Sequence, residues 1–151
     1  MADNHWLSVG CIVRKEKGIL LVRHTYGGAK GKLLIPGGIC EEGELPGETA
    51  VREVMEETKV TATPQAMLGV RCHRGGWYAI MVMDYVEGIP TSDNWENSEA
   101  LFCDVQEALQ RQDVTHMTKV ALRAMLRETP SLLYPDEKYR EHKGADYELY
   151  I

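Results

Sequence analysis

Apolar and polar positions fall into segments whose period changes along the chain. Trp6 to Arg14 and Gly18 to His24 are β-branched and apolar, with the charged Lys15-Glu16-Lys17 between them, which predicts a strand, a turn and a strand. A Gly- and Lys-rich stretch from Thr25 to Lys32 leads to the short apolar run Leu33-Leu34-Ile35, which Pro36-Gly37-Gly38 closes. From Pro46 to Thr58 the period becomes helical: Ala50, Val51, Val54 and Met55 fall on one side, and Arg52, Glu53, Glu56 and Glu57 on the other. Pro46 suits the first helical position, and Glu48 complements the positive end of the helix dipole. Ala66 to Arg71 and Trp77 to Val86 predict two strands around a His73-Arg74-Gly75-Gly76 turn, and Ala100 to Cys103 a short third. Helices follow over Val105 to Gln110 and Thr115 to Arg127. Strands interleaved with helices imply a layered α/β or α+β domain. Beyond Pro130 the chain is charged and tyrosine-rich (Tyr134, Tyr139, Tyr147, Tyr150), and its pattern assigns no element.

At 151 residues the chain suits one compact domain, with a core large enough to need no disulfide or structural metal. Seventeen Lys plus Arg against 23 Asp plus Glu give a net charge of −6, without a basic run, so nucleic acid is excluded as the main partner. Cys11, Cys40, Cys72 and Cys103 form no C-x-x-C pair and read as small buried hydrophobes in a reducing compartment. Met1-Ala2-Asp3-Asn4-His5 is not a basic region followed by an apolar stretch, and apolar runs are short, Tyr78 to Met83 lying in the longest. No membrane role and a cytoplasmic location are the expectations.

The acidic excess gains meaning where it clusters. Helical spacing brings Glu53 beside Glu56 and Glu57, so three carboxylates repel one another unless a cation sits between them. An oxygen-only, carboxylate-rich site suits Mg²⁺ or Mn²⁺, and magnesium shares its shell with waters and phosphates. Gly37 and Gly38 allow close backbone approach and offer a carbonyl as a further hard ligand. Arg52 is the one cation within the cluster, and Glu44 is placed to pair with it across the loop. The segment Gly27 to Leu33 is not a phosphate loop: Tyr26 stands at the first-glycine position and Leu33 where a Ser or Thr would touch magnesium.

The arrangement Gly38, Glu44, Arg52, Glu53, Val54, Glu56, Glu57, Val60 resembles the signature of the Nudix hydrolase family. One departure is plain, since Lys59 stands where the family pattern has glycine. That glycine is the expected left-handed residue ending the helix, so Lys59 implies about 1 kcal/mol of local strain there rather than damage to a metal site.

The resemblance implies an α/β fold, an α/β/α sandwich around a mixed sheet, with residues 1–130 as the hydrolase domain and 131–151 as a tail packed on it. It implies hydrolysis, with Mg²⁺ or Mn²⁺, of a pyrophosphate bond in a nucleoside diphosphate linked to another group. Glu53, Glu56 and Glu57 with a carbonyl at Gly37 or Gly38 are the implied metal ligands, and Arg52 with Glu44 organises the helix face. The water's proton goes to a helix carboxylate or to Glu96 or Glu99, the helix group being favoured, and Glu99 is also a candidate metal ligand. Candidate substrate contacts are Arg23 for phosphate and Trp77, Tyr78 or Trp95 for a base; the tail would cover substrate or join a homodimer interface. Two other readings stand beside this one: a house-cleaning hydrolase releasing pyrophosphate from damaged nucleoside triphosphates, and a non-catalytic nucleotide-binding module.

Overall fold

The structure, a computed structural model, describes residues 6–145 together with Glu148, Tyr150 and Ile151; the amino-terminal pentapeptide and Tyr147, both used in the sequence reading, lie outside the described residues. The chain runs β1 (Trp6–Lys15), β2 (Gly18–His24), β3 (Leu33–Leu34), β4 (Gly37–Ile39), α1 (Pro46–Thr58), β5 (Thr61–His73), β6 (Gly76–Glu87), β7 (Asn97–Asp104), α2 (Val105–Gln110), α3 (His116–Met125) and α4 (Glu137–Lys143). The sheet is mixed. β1 runs parallel to β6 along most of its length, while β5 pairs antiparallel with β6 and β7 antiparallel with β2.

β1 and β2 pair only at Arg14 with Ile19 and Lys15 with Gly18, next to the turn, and then splay apart. The next two strands fill the fork: β3 pairs with β2, and β4 with β1 at Ser8, Val9 and Gly10. Gly37 to Ile39 is therefore a strand rather than the closing punctuation expected from Pro36-Gly37-Gly38. Glycine makes that possible, because a Cβ on Gly37 would lie 2.0 Å from the Val9 carbonyl oxygen.

The two sheet faces are covered by different helices. Val9, Cys11, Val13, Met81 and Met83 pack with Ala50 and Val54 of α1, whereas Ile12, Ile19, Leu21 and Ile80 pack with Ala108 of α2 and Ala121 and Leu122 of α3. Strands buried on both faces read as continuous apolar runs, which is why β1, β2 and β6 are plain in the sequence. β5 is longer than Ala66–Arg71; it begins at Thr61 and absorbs Pro64 at a register shift on the sheet edge. The tail also holds more order than its composition suggests: Leu133 pairs with Met67, α4 follows, and Tyr150 pairs with Pro135.

α1 has the predicted bounds but not the predicted faces. Its buried stripe is Thr49, Ala50, Glu53, Val54, Glu57 and Thr58, while Val51 and Met55 are exposed. The helix is rotated so that two carboxylates enter the layer between helix and β4. Its first turn is held by Glu48, whose carboxylate accepts from the Leu45 backbone N–H at 3.0 Å, and its other end by the backbone N–H of Lys59, the next residue, which donates to the Met55 carbonyl. Lys59 has φ 61° and ψ 18°, the left-handed conformation that glycine adopts without strain.

Lys59→Gly is expected to stabilise the protein by about 1 kcal/mol, read as a higher urea midpoint at an unchanged m-value. A lower midpoint would show that Lys59 is not strained.

Candidate active site

The site begins with one guanidinium. Arg52 meets Glu44 as a fork, Nε donating to Oε1 at 2.6 Å and Nη2 to Oε2 at 2.8 Å, and Nη2 also donates to the Ile39 carbonyl at 3.1 Å. Its remaining nitrogen, Nη1, donates to Glu53 at 2.8 Å and to Glu56 at 3.2 Å. Glu44 is fixed in turn by the Thr49 hydroxyl at 2.9 Å and the Glu41 backbone N–H at 3.0 Å. This bidentate pairing holds the Glu44 carboxyl well below the usual range, at about 2. The pairing of Arg52 with Glu44 expected from spacing is thus present, and it ties the loop after β4 to the middle of α1.

Glu53 and Glu57 point from α1 into the space under β4. Glu57 is 2% exposed; its carboxylate accepts from the Gly37 backbone N–H at 2.9 Å, and its Oε2 is buried without a protein partner. Glu53 lies against Gly38 so closely that a Cβ there would fall 2.3 Å from its Oε1. Burial is the largest influence on both carboxyls and raises their proton affinity; for Glu57, with Glu53, Glu96 and Asp93 adding like charge, the pKa is pushed up to about 8. Glu56 is the exposed member of the trio.

Among the described residues no three His, Cys, Asp or Glu side chains converge on a point that could hold an ion by themselves. The donor set nevertheless fits a hard divalent cation. An orphaned carboxylate oxygen, a second buried carboxylate and backbone brought close by two glycines offer only oxygen ligands, of the kind magnesium completes with waters and phosphate oxygens.

The segment after β6 supplies a group that the sequence reading left out. Asn97 is fully buried and its Nδ2 donates to the backbone carbonyl of Glu57 at 2.9 Å, while Thr91 N donates to the Thr58 carbonyl at 2.8 Å. The loop from Gly88 to Glu96 is thereby docked on the end of α1. No motif marks Asn97; its only signal is a polar residue opening a strand. The docked loop brings Glu96 and Asp93, rather than Glu99, into electrostatic reach of Glu57.

The other candidates are dispersed. Arg23 is tied to Glu99 at 2.8 Å, Asp113 at 3.1 Å and the Gly31 carbonyl at 2.8 Å, so both Arg23 and Glu99 are already paired. Tyr78 packs into the core on the α2–α3 side, its hydroxyl over Gly10, with the Arg71 guanidinium 4.7 Å above its ring. Trp77 is exposed near Trp6 and Leu7, outside this cluster. Trp95, by contrast, lines a cleft of about 350 Å³ with Thr25, Tyr26 and Glu96.

Comparison with known proteins gives a consistent result. The NUDIX domain model matches residues 4–124. A 64-residue stretch is 38% identical to the ADP-ribose pyrophosphatase of Methanocaldococcus jannaschii, covering 42% of this chain and 38% of that protein. Over 125 residues the chain is 27% identical to nucleoside diphosphate-linked moiety X motif 6 of Xenopus laevis, covering 78% of this chain and 58% of that one. The chain thus spans roughly two fifths to three fifths of the length of these relatives. In three dimensions it matches a NUDIX hydrolase from Nitrosomonas europaea with a TM-score of 0.73 at 21% identity, over 93% of this chain and 74% of that one.

The two ends of the site predict opposite pH responses in the metal-free protein. Glu57 has its proton affinity raised by folding, so its contribution is full below about 4.5 and is lost as pH rises to about 8. Glu44 has its affinity lowered, so its contribution is present above about 4.5 and lost as pH falls to about 2. Urea melts across pH in EDTA should show Glu57→Gln removing the decline between about 4.5 and 8. An unchanged decline would contradict the burial of a strained carboxylate.

Proposed function

The chain belongs to the Nudix family, and from that premise we propose that it is a pyrophosphohydrolase acting on a nucleoside diphosphate linked to another moiety. The observation that carries the reading is the pair of buried carboxylates, Glu53 and Glu57, held under the Gly37–Gly38 backbone and organised by Arg52. The names of the two sequence relatives, an ADP-ribose pyrophosphatase and a nucleoside diphosphate-linked moiety X protein, favour a diphosphate-X substrate over a damaged triphosphate.

Glu53, Glu56 and Glu57, with a carbonyl from Gly37 or Gly38, are the groups that would hold the cation, Mg²⁺ by preference and Mn²⁺ as a substitute. A bound divalent cation neutralises pyrophosphate oxygens and acidifies water for in-line attack. Arg52 keeps Glu53 and Glu56 aligned, and Glu44 keeps Arg52 from turning toward solvent or substrate. The water's proton goes to a helix carboxylate in this reading, while Glu57 Oε2, the helix oxygen without a protein partner, is the one offered to the cation. Asn97 anchors the residue that bears it. Residues 1–130 form the catalytic unit in this reading and the tail is packed on it. No helix among the described residues is long and apolar enough to cross a membrane, and the proposed setting is the cytoplasm.

A hydrolysis screen of nucleoside triphosphates, ADP-ribose, nucleotide sugars and dinucleoside polyphosphates with Mg²⁺ and Mn²⁺ tests the proposal. Two monophosphate-bearing products are expected from the preferred substrate; pyrophosphate plus a monophosphate would favour the triphosphate reading, and inactivity throughout would favour a binding module. Glu53→Gln and Glu57→Gln should each lower kcat/KM by about a hundredfold or more in folded protein. Wild-type turnover by Glu57→Gln would overturn its role.

A further inference from the structure

The cleft of Thr25, Tyr26, Trp95 and Glu96 includes part of the loop that Asn97 anchors to Glu57, unlike the exposed Trp6 and Trp77 elsewhere on the surface. Trp95 is 82% exposed and Tyr26 53% exposed, so two large flat rings among its lining residues stand in solvent. They are not on floppy chain. The Thr25 hydroxyl donates to the Trp95 carbonyl at 2.7 Å, and Thr25 N donates to the Glu96 carbonyl at 3.0 Å, tying the two walls together. Asp93 accepts from the backbone N–H of Trp95 at 2.9 Å and of Asn97 at 3.0 Å, and Asn97 is bonded to Glu57. Tyr26 is further braced by His24, stacked at 5.1 Å between ring centroids and 17° between planes.

Charge says what such a cleft can take. Tyr26 lies in the field of Glu96, Glu57 and Glu53, its hydroxyl has Glu96 as a hydrogen-bond partner, and no Lys or Arg lines the cleft among the described residues. A phosphate would be repelled here, whereas a neutral flat ring gains by stacking and can donate its polar edge to a carboxylate. The volume, about 350 Å³, lies at the small end of the range for small-molecule sites.

We propose that Tyr26 and Trp95 hold the nucleobase of the substrate between them, with Glu96 accepting from the polar edge of the base. This inference rests on the nucleotide-hydrolase reading and assigns the base end of the same site. The phosphates then lie toward Glu53 and Glu57, and the loop anchored by Asn97 sets the distance between base and carboxylates.

The test uses Trp6→Phe/Trp77→Phe protein, in which Trp95 is the sole tryptophan, in EDTA. AMP, GMP, CMP and UMP are titrated against ribose 5-phosphate, which has no base. At least one nucleotide should quench Trp95 emission saturably, while ribose 5-phosphate leaves it unchanged. Tyr26→Ala should weaken that nucleotide by about tenfold or more, and calorimetry on otherwise wild-type protein should show the same for Trp95→Ala and near-normal binding for Trp95→Phe. Equal quenching by ribose 5-phosphate, or affinity unmoved by both alanine variants, overturns the assignment. Should no nucleotide quench although the protein hydrolyses nucleotide derivatives, the cleft assignment alone fails; absence of both quenching and hydrolysis removes it together with the functional reading.

Discussion

Close backbone approach at Gly37 and Gly38 is the constraint on which the site depends. β4 can lie against β1 only because a side chain is absent at Gly37, and Glu53 can lie under β4 only because one is absent at Gly38. With the backbone that near, the inward face of α1 has room for carboxylates where an ordinary helix would place methyl groups. The cost is electrostatic: two like charges sit in a layer that water reaches poorly, and one oxygen of Glu57 has no partner. A cation answers all of these at once, which is why the arrangement reads as a site rather than as a packing fault.

Arg52 makes the arrangement survivable without the cation. Its forked pairing with Glu44 orients the guanidinium so that its remaining nitrogen faces Glu53 and Glu56. Part of the negative charge is thereby compensated and the rest, on Glu57, is relieved by taking up a proton. The fold around this centre is a frame: a forked β1–β2 hairpin whose gap is filled by β3 and β4, a parallel β1–β6 pair beneath α1, and a second helical layer on the far face. The loop before β7 closes the frame by bonding to the end of α1 through Asn97.

Much of this was legible in the residues, and the exceptions have physical reasons. The bounds of α1 and the Arg52–Glu44 pair followed from period and spacing, and the left-handed Lys59 from the glycine that the family signature has at that place. The face of α1 did not: periodicity groups apolar residues together, and it has no means of knowing that Glu53 and Glu57 are buried while Val51 and Met55 are exposed. β4 was hidden because Pro36-Gly37-Gly38 is the usual grammar of a turn, and only the partner strand makes it a ladder. Arg23 and Glu99 were read singly as substrate or metal contacts, yet they face each other across β2 and β7, a pairing set by register rather than by local sequence. Asn97 was missed because a polar residue at the start of a strand carries no motif.

Once ionised, the buried Glu57 carboxylate opposes folding until a cation relieves it. Thermal melts at pH 8.5, in EDTA and in Mn²⁺, of wild type and Glu57→Gln test this most directly. Mn²⁺ should raise the wild-type Tm, while Glu57→Gln should melt above wild type in EDTA and gain little from Mn²⁺. A variant that melts no higher than wild type in EDTA, or gains as much from Mn²⁺, would contradict the account.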